Sequence, residues 1–255
     1  MLYQLLKDLD PCNYCLISSE EAGAPDVQNY SRRLPGHYYK ISDRFELTRG
    51  YRFGLAVLRE AINVTAGAFN RAVQIARIVK REECEAVLAC SSGLDLLDLP
   101  SGFLASRLRR VPLYIYLFDT YSHMWIEPQT QFIGKRLEPF MLRRAAKVIV
   151  TNEFVQELLR KRYGVDAVVI PNPCDISQYE NPRAEHGNKS EIRIVYTGAI
   201  YAAHYDAFRN LVDAIKRIGR PEIKLHLYTT FKPAELEARG IHGPVVHHDH
   251  QPISV

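Results

Sequence analysis

Four short clusters in this chain hold the residue types that do chemistry. Asp119-Thr120-Tyr121-Ser122-His123-Met124-Trp125 places a carboxylate, an imidazole, three hydroxyls and the chain's single tryptophan directly after the apolar run Leu113 to Phe118. Such a set can hydrogen-bond a polyhydroxylated ligand and stack on its apolar face. Ser91-Ser92-Gly93 follows the apolar run Ala86 to Cys90 in the same way, although such triplets are more often plain loop. Thr197-Gly198-Ala199 follows the apolar run Ile192 to Tyr196 and precedes a helix signal, the order in which a glycine lets backbone N–H groups approach a phosphate. His247-His248-Asp249-His250, with His242 nearby, has metal-ligand residue types. Neighbouring strand residues point to opposite faces, so the reading of a solvated strand end is preferred and no metal is expected. Cys12 and Cys15 are also spaced like ligands, but no second pair accompanies them.

The clusters need strands to carry them, and the chain alternates helix and strand signals throughout. A helix end is read at Leu2 to Leu9, a strand at Asn13 to Ile17, and an irregular region rich in Tyr and Arg from Glu20 to Arg52. From about Phe53 to Lys80, Leu58, Ile62, Phe69, Val73, Ala76 and Val79 fall near helical spacing, with Gly67 weakening the middle. Pro100 stands in the first turn of a helix whose apolar face is Phe103, Leu104 and Leu108. A basic helix at Gln131 to Ala145, a strand at Lys147 to Val150, a helix started by Asn152 and a strand at Val165 to Ile170 follow.

Pro171-Asn172-Pro173 then stops the sheet, because two prolines one residue apart fix φ and remove two donors. The stretch Pro182 to Ser190 has no large apolar residue and reads as a solvated linker. Beyond it lie strands at Ile192 to Tyr196 and Lys224 to Tyr228, a third beginning at Val245, and a helix with Phe208, Leu211, Val212 and Ile215 at i, i+3, i+4 and i+7, ended near Gly219. The expectation is an α/β protein of two Rossmann-like domains meeting at a cleft: residues 1–172, a linker at 173–190, and 191–255 as the first part of a second domain. With about half its strands, that second domain is expected to leave the helix around Phe208 poorly covered.

At 255 residues, 47% hydrophobic and 24% charged, the chain has material for two cores. No apolar run spans a bilayer and no secretory leader pattern opens the chain. Five scattered cysteines fit reduced thiols in a cytosol. The net charge of +4 concentrates in Arg32, Arg33, Lys40, Arg44, Arg49 and Arg52 and again in Lys135, Arg136, Arg143, Arg144 and Lys147. A solvated helix face is the plainer account, preferred over a patch for a membrane surface or an anionic acceptor, and nucleic acid is not expected.

The series Ser91-Ser92-Gly93, Arg110-Val111-Pro112, Phe118-Asp119, Ala145 to Asn152, Ile170 to Asp175 and Tyr196-Thr197-Gly198 resembles family 4 glycosyltransferases of the GT-B fold, over about residues 84 to 247. The resemblance implies a retaining, metal-independent transferase of the hexosyltransferase type. It would take a sugar from a nucleotide-sugar donor to a glycan or lipid-linked acceptor in polysaccharide biosynthesis, in the cytoplasm or at the inner face of the membrane, with peripheral membrane contact. No cofactor besides the donor is implied. The first domain would bind acceptor through Ser91, Ser92, Gly93, Asp119, Tyr121, His123 and Trp125, with Asp119 the catalytic candidate. The second would bind donor through Gly198, Ala199, His204 and His248. Where the family offers arginine and lysine after its glycine, this chain has Ala199 and then Tyr201 to Tyr205, with His204 the candidate cation. The family's paired-glutamate motif would lie beyond residue 255 and its first strand before Met1, so this segment is expected to be inactive alone. A non-catalytic α/β sugar- or nucleotide-binding module and a sugar-nucleotide epimerase of the same architecture are the alternatives.

Overall fold

Apolar runs joined through helices favour parallel pairing, and the described strands form three parallel sheets. The computed structural model describes residues 2–19, 34–42, 55–91, 96–125, 128–173 and 190–248. The chain divides into two units, residues 1–174 and 175–255.

The first unit opens with α1 (Leu2–Leu6) and the parallel pair β1 (Cys15–Ser18) and β2 (His37–Lys40). β2 falls inside the region expected to be irregular, because its His-Tyr-Tyr-Lys sequence lacks an apolar run. After α2 (Ala56–Arg81) comes a four-stranded sheet in the order β3 (Val87–Ser91), β4 (Leu113–Leu117), β5 (Lys147–Val150) and β6 (Val168–Val169). Its crossovers are α3 (Asp98–Arg109), α4 (Pro128–Leu142) and α5 (Glu153–Tyr163). Leu99, Phe103, Met141, Leu142 and Leu159 from these helices pack on Ala89, Leu113, Ile115, Leu117, Val148 and Val150 of one sheet face. Gly102 lets α3 sit directly on β3, since a Cβ there would lie 2.9 Å from that of Ala89. The Asn152 side chain caps α5 by accepting from the Val155 N–H at 2.9 Å. β6 is shorter than its apolar run: only Val168 and Val169 pair before the prolines remove the donors that would continue the ladder.

α2 corrects the expected face. Val64, Ala68, Ala72, Ile75, Ala76 and Val79 are buried, whereas Leu58, Ile62 and Phe69 are exposed. The seam mixes alanines with Val64, Ile75 and Val79, and of the expected residues only Ala76 and Val79 are buried in it. α2 runs through Gly67, which belongs to that seam: a Cβ there would stand 2.9 Å from a Leu97 methyl. Leu108 of α3 is likewise exposed. Two cysteines far apart in the chain come together, the thiols of Cys15 and Cys84 meeting at 3.8 Å. Burial pushes the Cys15 thiol up to about 12, so it is not a thiolate near neutral pH.

The second unit holds the three-stranded sheet β7 (Ile192–Thr197), β8 (Ile223–Tyr228) and β9 (Val245–His248), joined through α6 (Tyr205–Ile218) and the short α7 (Pro233–Glu237). α6 ends at Gly219 in a left-handed C-cap, φ 69°. Phe208, Val212 and Ile215 are buried against Ile200, Leu225, Leu227, Leu236 and Ile241. This overturns the expectation of a poorly covered helix: α6 lies over the apolar face of its own sheet, and α7 with Ile241 closes the side.

Candidate functional site

Register brings the expected residues to the carboxyl ends of the strands, then sorts them by burial. In the first unit, Ser91 pairs with Leu117, which puts its side chain beside the chain leaving β4. Its buried hydroxyl accepts from the Phe118 N–H at 3.1 Å and lies 3.5 Å from the Asp119 carbonyl. Ser91 therefore ties two loops together instead of facing a ligand. Ser92 and Gly93 lie outside the described residues.

The cluster after β4 divides sharply. Tyr121 and Trp125, expected on the acceptor surface, are 1% and 3% exposed and belong to the core. A 3-10 turn at Tyr121–His123 folds both rings inward, edge to face at 5.7 Å, and the Tyr121 hydroxyl donates to the Leu96 carbonyl at 2.8 Å. Trp125 rests on Gly134 of α4, where a Cβ would come within 3.0 Å of the indole. Asp119 and His123 remain exposed, with the His123 Nδ1 2.8 Å from the Thr120 hydroxyl. The turn is held from beneath by Glu138, a buried carboxylate that sequence reading missed. It accepts from the Ser122 N–H at 3.3 Å and the Tyr163 hydroxyl at 2.6 Å. Burial and the adjoining Glu138 carboxylate raise the Tyr163 phenol above its ordinary value. The available signal was Glu138's place between Gly134 and Met141 on the inward stripe of a helix.

In the second unit, β7 is followed by Gly198, whose φ of +139° only glycine adopts without strain. Its N–H donates to the Tyr228 carbonyl at 3.0 Å, so this amide is used by the sheet. The chain then passes Ala199, whose carbonyl accepts from the Tyr196 hydroxyl at 2.8 Å, and the buried Ile200. It reaches α6 through a 3-10 turn closed by His204, with the Tyr201 N–H 3.5 Å from the His204 Nδ1. Asp206 stands in the first turn of α6 and pairs with Arg209, which offsets part of the positive end of the helix.

Beside this turn, Thr229, Thr230, Phe231, Lys232, Pro233, His247 and His248 line a cavity of about 310 Å³ at the ends of β8 and β9. His247 and His248 occupy opposite faces, as adjacent strand residues must. The His248 ring lies flat on Tyr228, centroids 4.1 Å apart and planes within 5°. Its Nε2 is 2.8 Å from the Nδ1 of buried His226, and the His226 Nε2 is 3.2 Å from a Glu191 carboxylate oxygen. Hydrogen bonding from Arg193, with Lys224 adding to it, holds Glu191 below the ordinary carboxylate range. Burial, then the neighbouring His226, lowers His248. Glu191, His226 and Lys232 carried no signal in one dimension, because only the pairing of β7, β8 and β9 brings 191, 226 and 248 onto one face. Asp249 and His250 lie outside the described residues.

The arrangement in the second unit suits a planar ligand bearing negative charge, with two threonines, a phenylalanine, a lysine and two imidazoles lining one cavity and Tyr228 stacked against His248. Residues 66–178 match the family model described as Glycosyltransferase Family 4. No curated protein sequence matches the chain. Among solved structures, the fold resembles a glycosyltransferase from Rickettsia africae ESF-5 at 13% identity and TM-score 0.52, covering 93% of this chain and 60% of that one. It also resembles sucrose-phosphate synthase from Thermosynechococcus elongatus at 14% identity and TM-score 0.60, covering 94% of this chain and 61% of that one. The chain thus spans about 60% of the length of each. The expected mixed α/β, GT-B type fold with parallel sheets is what these comparisons support.

Proposed function

We propose, taking as premise the family 4 glycosyltransferase match of residues 66–178, that the protein moves a hexosyl group from a nucleotide-sugar donor to a glycan or lipid-linked acceptor with retention of configuration. In this reading the second unit holds the donor and the first unit the acceptor. The observation that carries it is the strand-glycine-helix turn at Gly198 beside the cavity of Lys232 and His248. Gly198 opens the turn without a side chain, and the amides after it, at Ala199 and Ile200, lead to the N-terminus of α6, where negative charge is favoured. Lys232 supplies a cation that residues 199–205 lack. Tyr228 and His248 offer a flat surface on which a heterocycle can stack. On the acceptor side, Asp119 and His123 are the exposed groups left after Tyr121 and Trp125 enter the core, and Asp119 is the catalytic candidate. The setting fits polysaccharide biosynthesis in the cytoplasm.

Titration calorimetry with UDP-, GDP- and ADP-sugars tests the donor site. Binding of one of them, weakened at least tenfold by Gly198→Val or Lys232→Met in folded protein, is the expected result. Unchanged affinity in both variants removes these residues from the site. A non-catalytic binding module is the second reading, favoured by the run Ala199 to Tyr205 without Lys or Arg. Incubating a bound donor with acceptor glycans and with polyprenyl-linked sugars separates the readings. Transfer releases free nucleotide and lengthens the acceptor, a binding module leaves the donor intact, and an epimerase converts the donor without any acceptor.

A further inference from the structure

The exposed side of α4 has a composition that a solvated helix face does not need. Phe132, Arg136, Phe140 and Arg144 stand four residues apart, so they form one stripe along α4 and its continuation. Both phenylalanines are exposed, 51% and 45%. The Arg136 guanidinium lies 4.6 Å over the Phe132 ring and that of Arg144 lies 4.0 Å over Phe140. Lys135 and Arg143 flank the stripe and are exposed. From α3, Arg107 reaches the Arg144 carbonyl at 3.2 Å, and Phe103 meets Phe140 edge to face at 5.5 Å.

The charge on this face is of one sign. The only carboxylate of α4, Glu138, is buried beneath the helix against Ser122 and Tyr163. Among the described residues, no salt bridge neutralises Arg107, Lys135, Arg136, Arg143 or Arg144. Their polar contacts are to carbonyls at Arg144, Phe140 and Tyr163 and to the amide of Gln131. A solvated helix face gains from carboxylates set four residues from its cations. Here the residue four before Arg136 and four before Arg144 is a half-exposed phenylalanine.

We propose that this face of α4, extended by Arg107, rests on an anionic lipid bilayer. Phenylalanine rings gain by leaving water for the acyl boundary, while guanidinium groups on the same stripe stay level with lipid phosphates. A bilayer offers both environments within the width of one side chain. A nucleic-acid backbone satisfies only the cations and leaves the exposed rings without a role. The inference stands on α4 alone and does not depend on the donor chemistry proposed above.

Vesicle co-flotation tests it, using phosphatidylcholine vesicles with and without phosphatidylglycerol. The protein floats with the anionic vesicles, stays behind with phosphatidylcholine alone, and is released by raised salt. Arg136→Gln and Arg144→Gln each weaken binding by roughly fivefold, as expected for one surface cation at an anionic membrane. Phe132→Ser weakens it by a similar factor and leaves the salt dependence unchanged, which separates ring insertion from charge. Phe132 is chosen because Phe140 also packs on Phe103, and thermal melting confirms that each variant is folded. Failure to float with anionic vesicles at low salt overturns the proposal. So does flotation unaffected by the three variants, or tighter binding to duplex DNA than to anionic vesicles at equal salt.

Discussion

The four-stranded sheet of the first unit and the three-stranded sheet of the second are each packed by helices on one face, and they differ in what they place on the other. In the first, Leu88, Tyr114 and Val168 stand half-exposed on that face, while Cys90 and Tyr116 are covered nearer the carboxyl end. In the second, the equivalent face carries Arg193, Lys224, His226, Tyr228 and His248, with Val195 as its exposed aliphatic residue. Those polar groups are tied to one another through Glu191, the two imidazoles and the Tyr228 ring. Polar groups held this close to one another let a sheet face stay partly dry, although the buried His226 Nε2 makes no hydrogen bond among the described residues. The first unit carries its buried charges on helices and not on the strands, among them Glu138 under the turn that follows β4 and Arg71 of α2.

The helix-covered faces should respond alike, and that gives the largest effects. Ile115→Ala in the first unit and Leu225→Ala in the second, both fully buried, should each cost about 3–4 kcal/mol by lost transfer energy and cavity formation. Urea unfolding with a probe in each unit measures this. A second-unit loss under about 1 kcal/mol would show that its core is loosely packed and end the likeness. Next comes the buried carboxylate. Glu138→Ala removes the acceptor for Tyr163 and Ser122 and should cost about 2–3 kcal/mol, seen also as a change in Trp125 fluorescence as the turn above loosens. An unaltered emission spectrum would detach Glu138 from that turn.

A smaller cost is expected at Gly198→Val, about 1–3 kcal/mol, because φ +139° strains any residue with a Cβ. The nearest heavy atom to such a Cβ is the Tyr196 hydroxyl at 3.5 Å, an ordinary contact, so the cost is one of backbone conformation and Gly198→Ala should show most of it. The smallest effect is a pH dependence confined to the second unit. Burial depresses His248 below its ordinary value of 6.5, so the unfolded chain binds a proton there more readily than the folded one. Stability is therefore complete above 6.5 and is lost as pH falls from there towards the depressed folded value. Melting of the second unit across that range should flatten in His248→Asn. A melt equally pH-dependent in the variant would assign the effect to another group.

Much of this molecule was readable in one dimension, and what was readable was local. Parallel α/β class, the strand at Leu113–Leu117, the Asn152 cap, the Gly219 stop and the α6 stripe at Phe208, Val212 and Ile215 follow from periodicity and backbone chemistry, which act over a few residues. The special conformation of Gly198 was also marked, because a glycine between strand and helix has few other uses. What needed the tertiary structure was the fate of each side chain. Tyr121 and Trp125 look like ligand contacts in a string of polar residues and became core because a single 3-10 turn rotates them inward over Gly134. Part of the α2 seam escaped notice because close approach there selects small residues, as Gly67 shows against Leu97. Glu191, His226 and His248 lie up to 57 residues apart and become one network only when three strands pair in register. Local sequence decides which element forms, since helix and strand are satisfied by neighbours. Which face is dry, and which charges meet, is decided by packing between elements far apart in the chain.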